Sequence, residues 1–206
     1  SETLSRNLRG QKFEIENFES KNVSESPYPP FSTSTLQQSA ANALGFDAKR
    51  TMRAAQQLYE GIQVGAQHVG LITYMRTDSL NVSKDAQSEC LNLIGEHFGS
   101  DYRPEKPNFY KSRKGAQEAH ECIRPTHVDI TPQDAAGYLS GDMKSLYELI
   151  WKRFVASQMT QAQYSQSSCD IVGAEARFRT TGRVMTFDGW RRVAGKEADT
   201  PLPEIR

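Results

Sequence analysis

The chain has 206 residues, 24% charged and 37% apolar, with 25 Lys and Arg balancing 25 Asp and Glu. That length suits one large domain or two modest ones, and a zero net charge means any nucleic-acid site must come from local segregation of cations. Cys90, Cys122 and Cys169 lie far apart with no CxxC and no paired His, which argues against a disulfide framework or a zinc site and fits a reducing cytosol. No apolar run reaches about 18 residues and no charged-then-apolar leader is present, so neither a membrane span nor a signal peptide is expected. The start at Ser1 and the loop-like end Thr200-Pro201-Leu202-Pro203 read as a piece of something longer.

After a polar stretch with Arg6 and Arg9, Phe13 to Glu19 alternates as an amphipathic strand. Lys21 to Pro30 reads as a Ser/Pro-rich connector, stiff and non-helical, between domains. At Ser32-Thr33-Ser34-Thr35 the pattern becomes helical. Leu36, Ala40, Ala43 and Leu44 recur at three and four, and Gly45 ends the helix. Asp47 caps a second helix with Met52, Ala55, Gln56 and Tyr59 roughly on one face, ended by Gly61. Two helices around Gly45-Phe46-Asp47 resemble a helix-turn-helix. Lys49, Arg50 and Arg53 open the second with no acid beyond the cap, either as a nucleic-acid surface or as a solvated face of a helical hairpin.

Gly61 to Gly70 reads as a small loop. Leu71-Ile72-Thr73-Tyr74-Met75 then favours an extended conformation, with Ile72, Tyr74 and Arg76 on one side and Leu71, Thr73 and Met75 on the other. Tyr74 and Arg76 would lie roughly 6–7 Å apart at Cα. A phenol beside a permanent forked cation suits phosphoryl transfer: the phenol attacks phosphorus while the guanidinium holds non-bridging oxygens. The same triplet also suits a strand end with a snorkelling Tyr and a solvated Arg.

Ser83 caps a helix that buries Ala86, Cys90, Leu93, Ile94 and His97 or Phe98, closed by Gly99. Asp101 to Lys114 is irregular, and its aromatics interleaved with Arg103, Lys106, Lys111, Arg113 and Lys114 suit single-stranded nucleic acid or a plain surface loop. If Gln117 to Arg124 is helical, Gln117, His120, Glu121 and Arg124 share a polar face halted by Pro125, and His120 with Arg124 could clamp a phosphate. Thr131-Pro132 starts a further helix. A longer one spans about Asp142 to Gln158 and buries Leu146, Leu149, Ile150, Trp151 and Phe154. From Ser167 the period returns to two, giving two or three antiparallel strands at Cys169–Val172, Ala176–Thr180 and Val184–Phe187. The expected fold class is therefore α+β. A mainly helical domain at 31–164 is inserted into an antiparallel β domain built from 1–30 and 165–206.

Gly70 to Ser79 and Gln117 to Thr126 together resemble the active-site segments of the type IA DNA topoisomerases of bacteria. Pro30 to Gln38 resembles the opening of that family's catalytic helical domain, and Phe187-Asp188-Gly189-Trp190 the return into its arch. The resemblance covers essentially the whole chain. It implies that Tyr74 is the nucleophile that becomes linked to a 5′ phosphate of single-stranded DNA. Arg76 would stabilise that phosphate and the transition state, and His120 would contact the adjacent DNA backbone. Asp78, placed near phosphate, is expected to hold Arg76 or cap the turn at Ser79. Glu121 and Arg124 match the motif, with structural roles or DNA contact both open. The helical block becomes the tyrosine-bearing domain with a helix-turn-helix (CAP-like) core, Lys49, Arg50 and Arg53 being DNA-binding candidates. The flanking strands become part of an arch.

The family's cleavage uses a magnesium-binding acidic domain, and no Gly-rich strand-turn followed by Glu and an Asp-x-Asp cluster occurs here. Magnesium is thus expected from the remaining domains of the same enzyme, with no metal held by these residues, in a cytoplasmic, nucleoid-associated setting without a membrane. A free tyrosine, with pKa about 10, is ionised in only about one molecule in a thousand at pH 7. The chain is accordingly expected to fold but not to relax DNA alone. Two other readings stay open: a non-catalytic helix-turn-helix binding module, and a structural domain with no DNA role.

Overall fold

The computed structural model describes residues 8, 10–64, 67–111, 120–139, 141–173, 176–195 and 198–203. The chain divides into two units: Ser26–Thr160 with Gly189–Gly195 is helical, and Ser1–Glu25, Gln161–Asp188 and Lys196–Arg206 carry long strands. The class is α+β, with the helical unit lying in sequence between the strands.

In the helical unit, α1 (Thr33–Leu44) buries Leu36 and Ala40 and ends at Gly45, whose φ of +66° is the left-handed conformation that glycine adopts without penalty. Three residues later α2 (Ala48–Glu60) begins, with the Asp47 carboxylate accepting from the Arg50 N–H at 2.6 Å. Its buried stripe is Thr51, Ala54, Ala55 and Leu58, not the expected Met52-Ala55-Gln56-Tyr59 face. The helix is rotated so that Leu58, fully buried, anchors it, while Tyr59 is left exposed. The expected Gly61–Gly70 loop is instead a hairpin of β2 (Ile62–Val64) and β3 (Gln67–Val69), with Ile62 opposite Val69.

α3 (Lys84–Phe98) buries Ala86, Cys90, Leu93 and Ile94 together with Gln87 and Leu91, while His97 stays exposed. The Ser83 hydroxyl makes no cap bond to α3. A short α4 (Pro132–Ala135) starts from a reciprocal cap between Thr131 and Asp134. In α5 (Gly141–Ser157), Leu146, Tyr147, Ile150, Trp151 and Phe154 are buried and Leu149 only partly. The buried Tyr147 hydroxyl and Trp151 indole donate to Ile130 O (2.7 Å) and Val128 O (2.8 Å), so large rings enter the core without stranding a donor. After Trp190, which is buried, comes the single turn α6 (Arg191–Ala194).

The loop after α3 is anchored, not free. Asn108 donates to Ser157 O and Met159 O, each at 2.9 Å, and Gln87 donates to Asn108 O and Gln158 Oε1. Tyr110 turns inward to Ser157 O, and burial pushes its phenol up to about 12. Phe109 alone of its aromatics projects fully outward. Arg113 and Lys114 lie outside the described residues, as do Gln117, Glu118 and Ala119. From His120 onward that stretch is extended and not helical: Ile123 bridges Phe31, and Pro125 bridges Ile72. Pairing with two other segments satisfies its backbone, which Pro125 would have interrupted as a helix.

In the strand unit, β1 (Glu14–Glu25), β4 (Ala162–Gly173) and β5 (Ala176–Phe187) form an antiparallel sheet in the order β1-β4-β5. β1 continues through Lys21–Glu25, expected as connector, and β4 begins at Ala162 although its first residues are mostly polar. One long β5 replaces the two short strands expected over 176–187. Ile15, Ile171 and Phe178 form one cross-strand row, while Asp170 is held by a two-point pair with Arg179 at 2.7 Å. Thr200 pairs with Arg183 outside β5, and a Cβ at Gly182 would fall 2.5 Å from Leu202 N, so only glycine admits that strap. No helix among the described residues is long and apolar enough to cross a membrane.

Asp47→Ala removes the α2 cap and is expected to cost about 1 kcal/mol of unfolding free energy in a urea titration. An unchanged midpoint would show that the cap is dispensable.

Candidate active site

Leu71 to Ser79 is not part of a regular strand, so its polar backbone groups need other partners. Two threonines supply them. The Thr73 hydroxyl donates to Cys122 O at 2.7 Å and accepts from the Arg124 N–H at 3.0 Å, while the Thr73 N–H donates to Arg124 O at 2.9 Å. At the other end the Thr33 hydroxyl donates to Met75 O and accepts from the Thr77 N–H, both at 2.8 Å, and the Thr33 N–H donates to Thr77 O. Leu71 N–H reaches Leu58 O at the end of α2, and Thr126 N–H reaches Leu71 O. The loop is thus stapled to α1, α2 and the 122–126 segment.

Side chains then alternate. Met75, Thr77 and Ser79 are buried, and Tyr74, Arg76 and Asp78 are exposed, Tyr74 by 43%. Ile72, expected on the Tyr74 side, is instead buried beside Leu71, because the bridge to Pro125 draws it inward. Tyr74 is flanked by two rings: Tyr59 lies edge-on with centroids 5.4 Å apart, and His120 lies at 6.4 Å. The Tyr74 hydroxyl and the Arg76 guanidinium make no hydrogen bond or ion pair among the described residues. Both are open to an external group.

Asp78 does neither thing expected of it. No ion pair joins it to Arg76 among the described residues, and the Ser79 N–H is capped at 3.0 Å by the buried Thr77 hydroxyl. Arg124 is engaged within the protein. Its guanidinium, 12% exposed, donates to Glu121 Oε2 at 2.6 and 3.0 Å and to Pro125 O at 2.8 Å. Glu121 in turn accepts from the Ser83 N–H at 2.8 Å, so the Glu121–Arg124 pair fastens this segment to the start of α3. Of the three cations on α2, Lys49 and Arg53 are exposed, but Arg50 is neutralised. It makes a fork to Asp142 at 2.7 and 2.8 Å and lies over the Phe46 ring at 4.2 Å. That contact holds the Asp142 carboxyl below the usual range.

Tyr59 and Thr33 take part in the site although no local pattern points to them. Both sit far from Tyr74 along the chain, and only the short return from α2 through the hairpin, with the Leu58–Leu71 bond, brings Tyr59 to its ring. Cys122 is buried behind the site, and that burial pushes its thiol up to about 12; Cys90 shifts in the same direction for the same reason. Among the described residues no group of three or more His, Cys, Asp or Glu could hold a metal ion.

The family model described as DNA topoisomerase matches residues 1–206. The chain belongs to the bacterial DNA topoisomerase family, type IA. It is 43% identical over 204 residues to DNA topoisomerase 1 of Rickettsia bellii, covering 98% of this chain and 26% of that protein. With the Campylobacter jejuni DNA topoisomerase 1 it shares 45% identity over 200 residues, 96% of this chain and 29% of the relative. The full-length topoisomerase I of Thermotoga maritima superposes with a TM-score of 0.86 at 41% identity, over 100% of this chain and 33% of that one. The chain therefore spans between a quarter and a third of these topoisomerases' length.

Thr33→Val removes the hydroxyl that serves Met75 and Thr77 and strands the Thr77 N–H. Chemical denaturation is expected to read a loss of about 1–3 kcal/mol, with Thr33→Ser restoring most of it. Equal stability of the valine variant and the parent would show that the loop does not depend on this staple.

Proposed function

We propose that this chain carries the nucleophilic half of a DNA topoisomerase active site and cleaves one DNA strand by transesterification. The Tyr74 Oη–phosphorus bond forms as the bond from phosphorus to the 3′ oxygen breaks. The phenol proton leaves, and the departing 3′ oxygen takes one up. The 5′-phosphotyrosine link conserves the bond energy, so the reverse step reseals the strand after another has passed, relaxing negative supercoils. The observation that carries this reading is Tyr74, exposed on a stapled loop two residues from the exposed Arg76, neither side chain having a polar partner among the described residues.

Each neighbour then has a part. Arg76 holds the non-bridging oxygens and offsets the charge that builds on them. His120, against the Tyr74 ring, contacts the adjacent backbone of a single strand. Lys49 and Arg53 extend a cationic surface along α2, and Asp78 borders the strand's path. Arg124 acts from behind, by holding the 120–125 segment. Magnesium, expected in the longer enzyme, would neutralise charge at the scissile phosphate; the described residues form no cluster that fits it, and none of the steps assigned to this chain passes through it. The helical unit is the tyrosine-bearing domain and the strand unit part of an arch, both working with the remaining domains on bacterial DNA in the cytoplasm. A purely non-catalytic helix-turn-helix module is less favoured, since Arg50 is already paired with Asp142.

Mixed with the remaining part of a bacterial type IA enzyme, magnesium and a labelled single strand, the chain is expected to form a covalent adduct. Tyr74→Phe removes it, and an adduct that survives this change would take Tyr74 out of the role. Arg76→Ala is expected to slow cleavage by about a hundredfold or more, whereas undiminished cleavage would leave Arg76 merely solvated. His120→Ala is expected to weaken strand binding more than it slows the chemistry. The chain alone is expected not to relax a negatively supercoiled plasmid, and relaxation would show that no second domain is needed.

A further inference from the structure

Away from Tyr74, Arg153 on α5 presents a guanidinium that meets no carboxylate among the described residues. Its central carbon lies 4.4 Å from the Phe31 ring centroid and 5.2 Å from that of Tyr28. Its nearest acceptors are Pro29 O at 3.4 Å and Ser39 Oγ at 3.5 Å, both at the long limit of a hydrogen bond, and no acid pairs with it among the described residues. Burial lowers its proton affinity, the opposite of what an ion pair would do. A half-buried cation with five N–H donors and two weak acceptors is short of an anion.

The space beside it has the matching shape. A cleft of about 140 Å³ is lined by Tyr28, Arg153, Ala156, Trp190, Arg191 and Ala194. That is well under the roughly 300 Å³ of a small-molecule pocket, and suits a single compact group. Its walls are cationic and aromatic: Arg191 lies over the Trp190 ring at 4.3 Å, and Tyr28 meets that ring edge-on at 5.3 Å. Among the described residues no carboxylate lines it, which disfavours a cation. Tyr28, 55% exposed at the rim, offers a ring face to a flat apolar group next to the anion.

We propose that this cleft binds a backbone phosphate of single-stranded DNA, held by Arg153, with a neighbouring base stacked on Tyr28. The inference rests on the DNA-cleaving function proposed above and adds a second anchoring point to it, separate from the Tyr74 loop. Arg153 is a binding residue here and has no part in the chemistry.

The test follows the Trp190 indole N–H by NMR while a short oligothymidylate is titrated into the whole chain. The Trp151 indole, bonded to Val128 O, serves as internal reference. The Trp190 resonance is expected to move with saturation and that of Trp151 to stay. Arg153→Met keeps the aliphatic length between the two rings. It is expected to weaken binding roughly tenfold, the size of one charge-assisted contact, and to lower the log–log salt slope by about 0.7. Arg153→Lys is expected to keep the slope, and Tyr28→Leu to weaken binding with the slope unchanged. A silent Trp190 in the unaltered chain, or an Arg153→Met variant with parental affinity and slope, would overturn the proposal while leaving Tyr74 adduct formation intact. Inorganic phosphate that shifts Trp190 when the oligonucleotide does not would also overturn it, by assigning the cleft to a free anion. Loss of the Tyr74 adduct with the Trp190 response retained would remove the cleavage reading alone.

Discussion

An irregular loop can hold a reactive side chain in place only if its backbone donors and acceptors are satisfied without a strand ladder. Here that constraint is met by two threonine hydroxyls. Thr73 ties the loop to Cys122 and Arg124, and Thr33 ties it to the first turn of α1. Each hydroxyl both donates and accepts, so each does the work of a backbone pair with no second strand alongside. Tyr74, between the two staples, can then project outward while Leu71, Ile72 and Met75 hold the backbone to the core.

This arrangement explains why the residues of the site divide into two kinds. Tyr74, Arg76 and His120 are exposed, and their side chains make no polar contact among the described residues. Arg124, Glu121, Thr77 and Ser83 face in and spend their hydrogen bonds on one another or on neighbouring backbone. A guanidinium with its donors already used cannot also clamp a phosphate at no cost, so the proposed function gives Arg124 and Arg76 different parts despite the same chemistry. The same logic separates Arg50, paired with Asp142, from Arg153, which meets no acid among the described residues.

The membership of the chain in the type IA topoisomerases sets the scale of its chemistry. It spans about a quarter of its relatives' length, and its described residues hold no acidic cluster for a metal ion. What it holds on one loop is an exposed phenol, Tyr74, and an exposed guanidinium, Arg76. On the function proposed above, the chain positions the nucleophile and leaving-group activation resides elsewhere, since the two demands are separable.

The sequence by itself determined the ends of α1 and α2, through Gly45 and Asp47, since a left-handed turn and a side-chain cap are local demands. It also singled out Tyr74, Arg76 and His120, because their motifs are specific. Tertiary structure decided what lies beyond the reach of neighbouring residues. The polar run Gln163 to Ser168 became strand by pairing with β1 and β5, against its weak alternation. His120 to Pro125 became extended because Phe31 and Ile72 offered it backbone partners. Tyr59 met Tyr74, and Asp142 met Arg50 from 92 positions away, through packing that no local pattern encodes. Residue type and spacing fix what a segment can do, but which of its groups remain free to act depends on contacts that form only when distant segments close on one another.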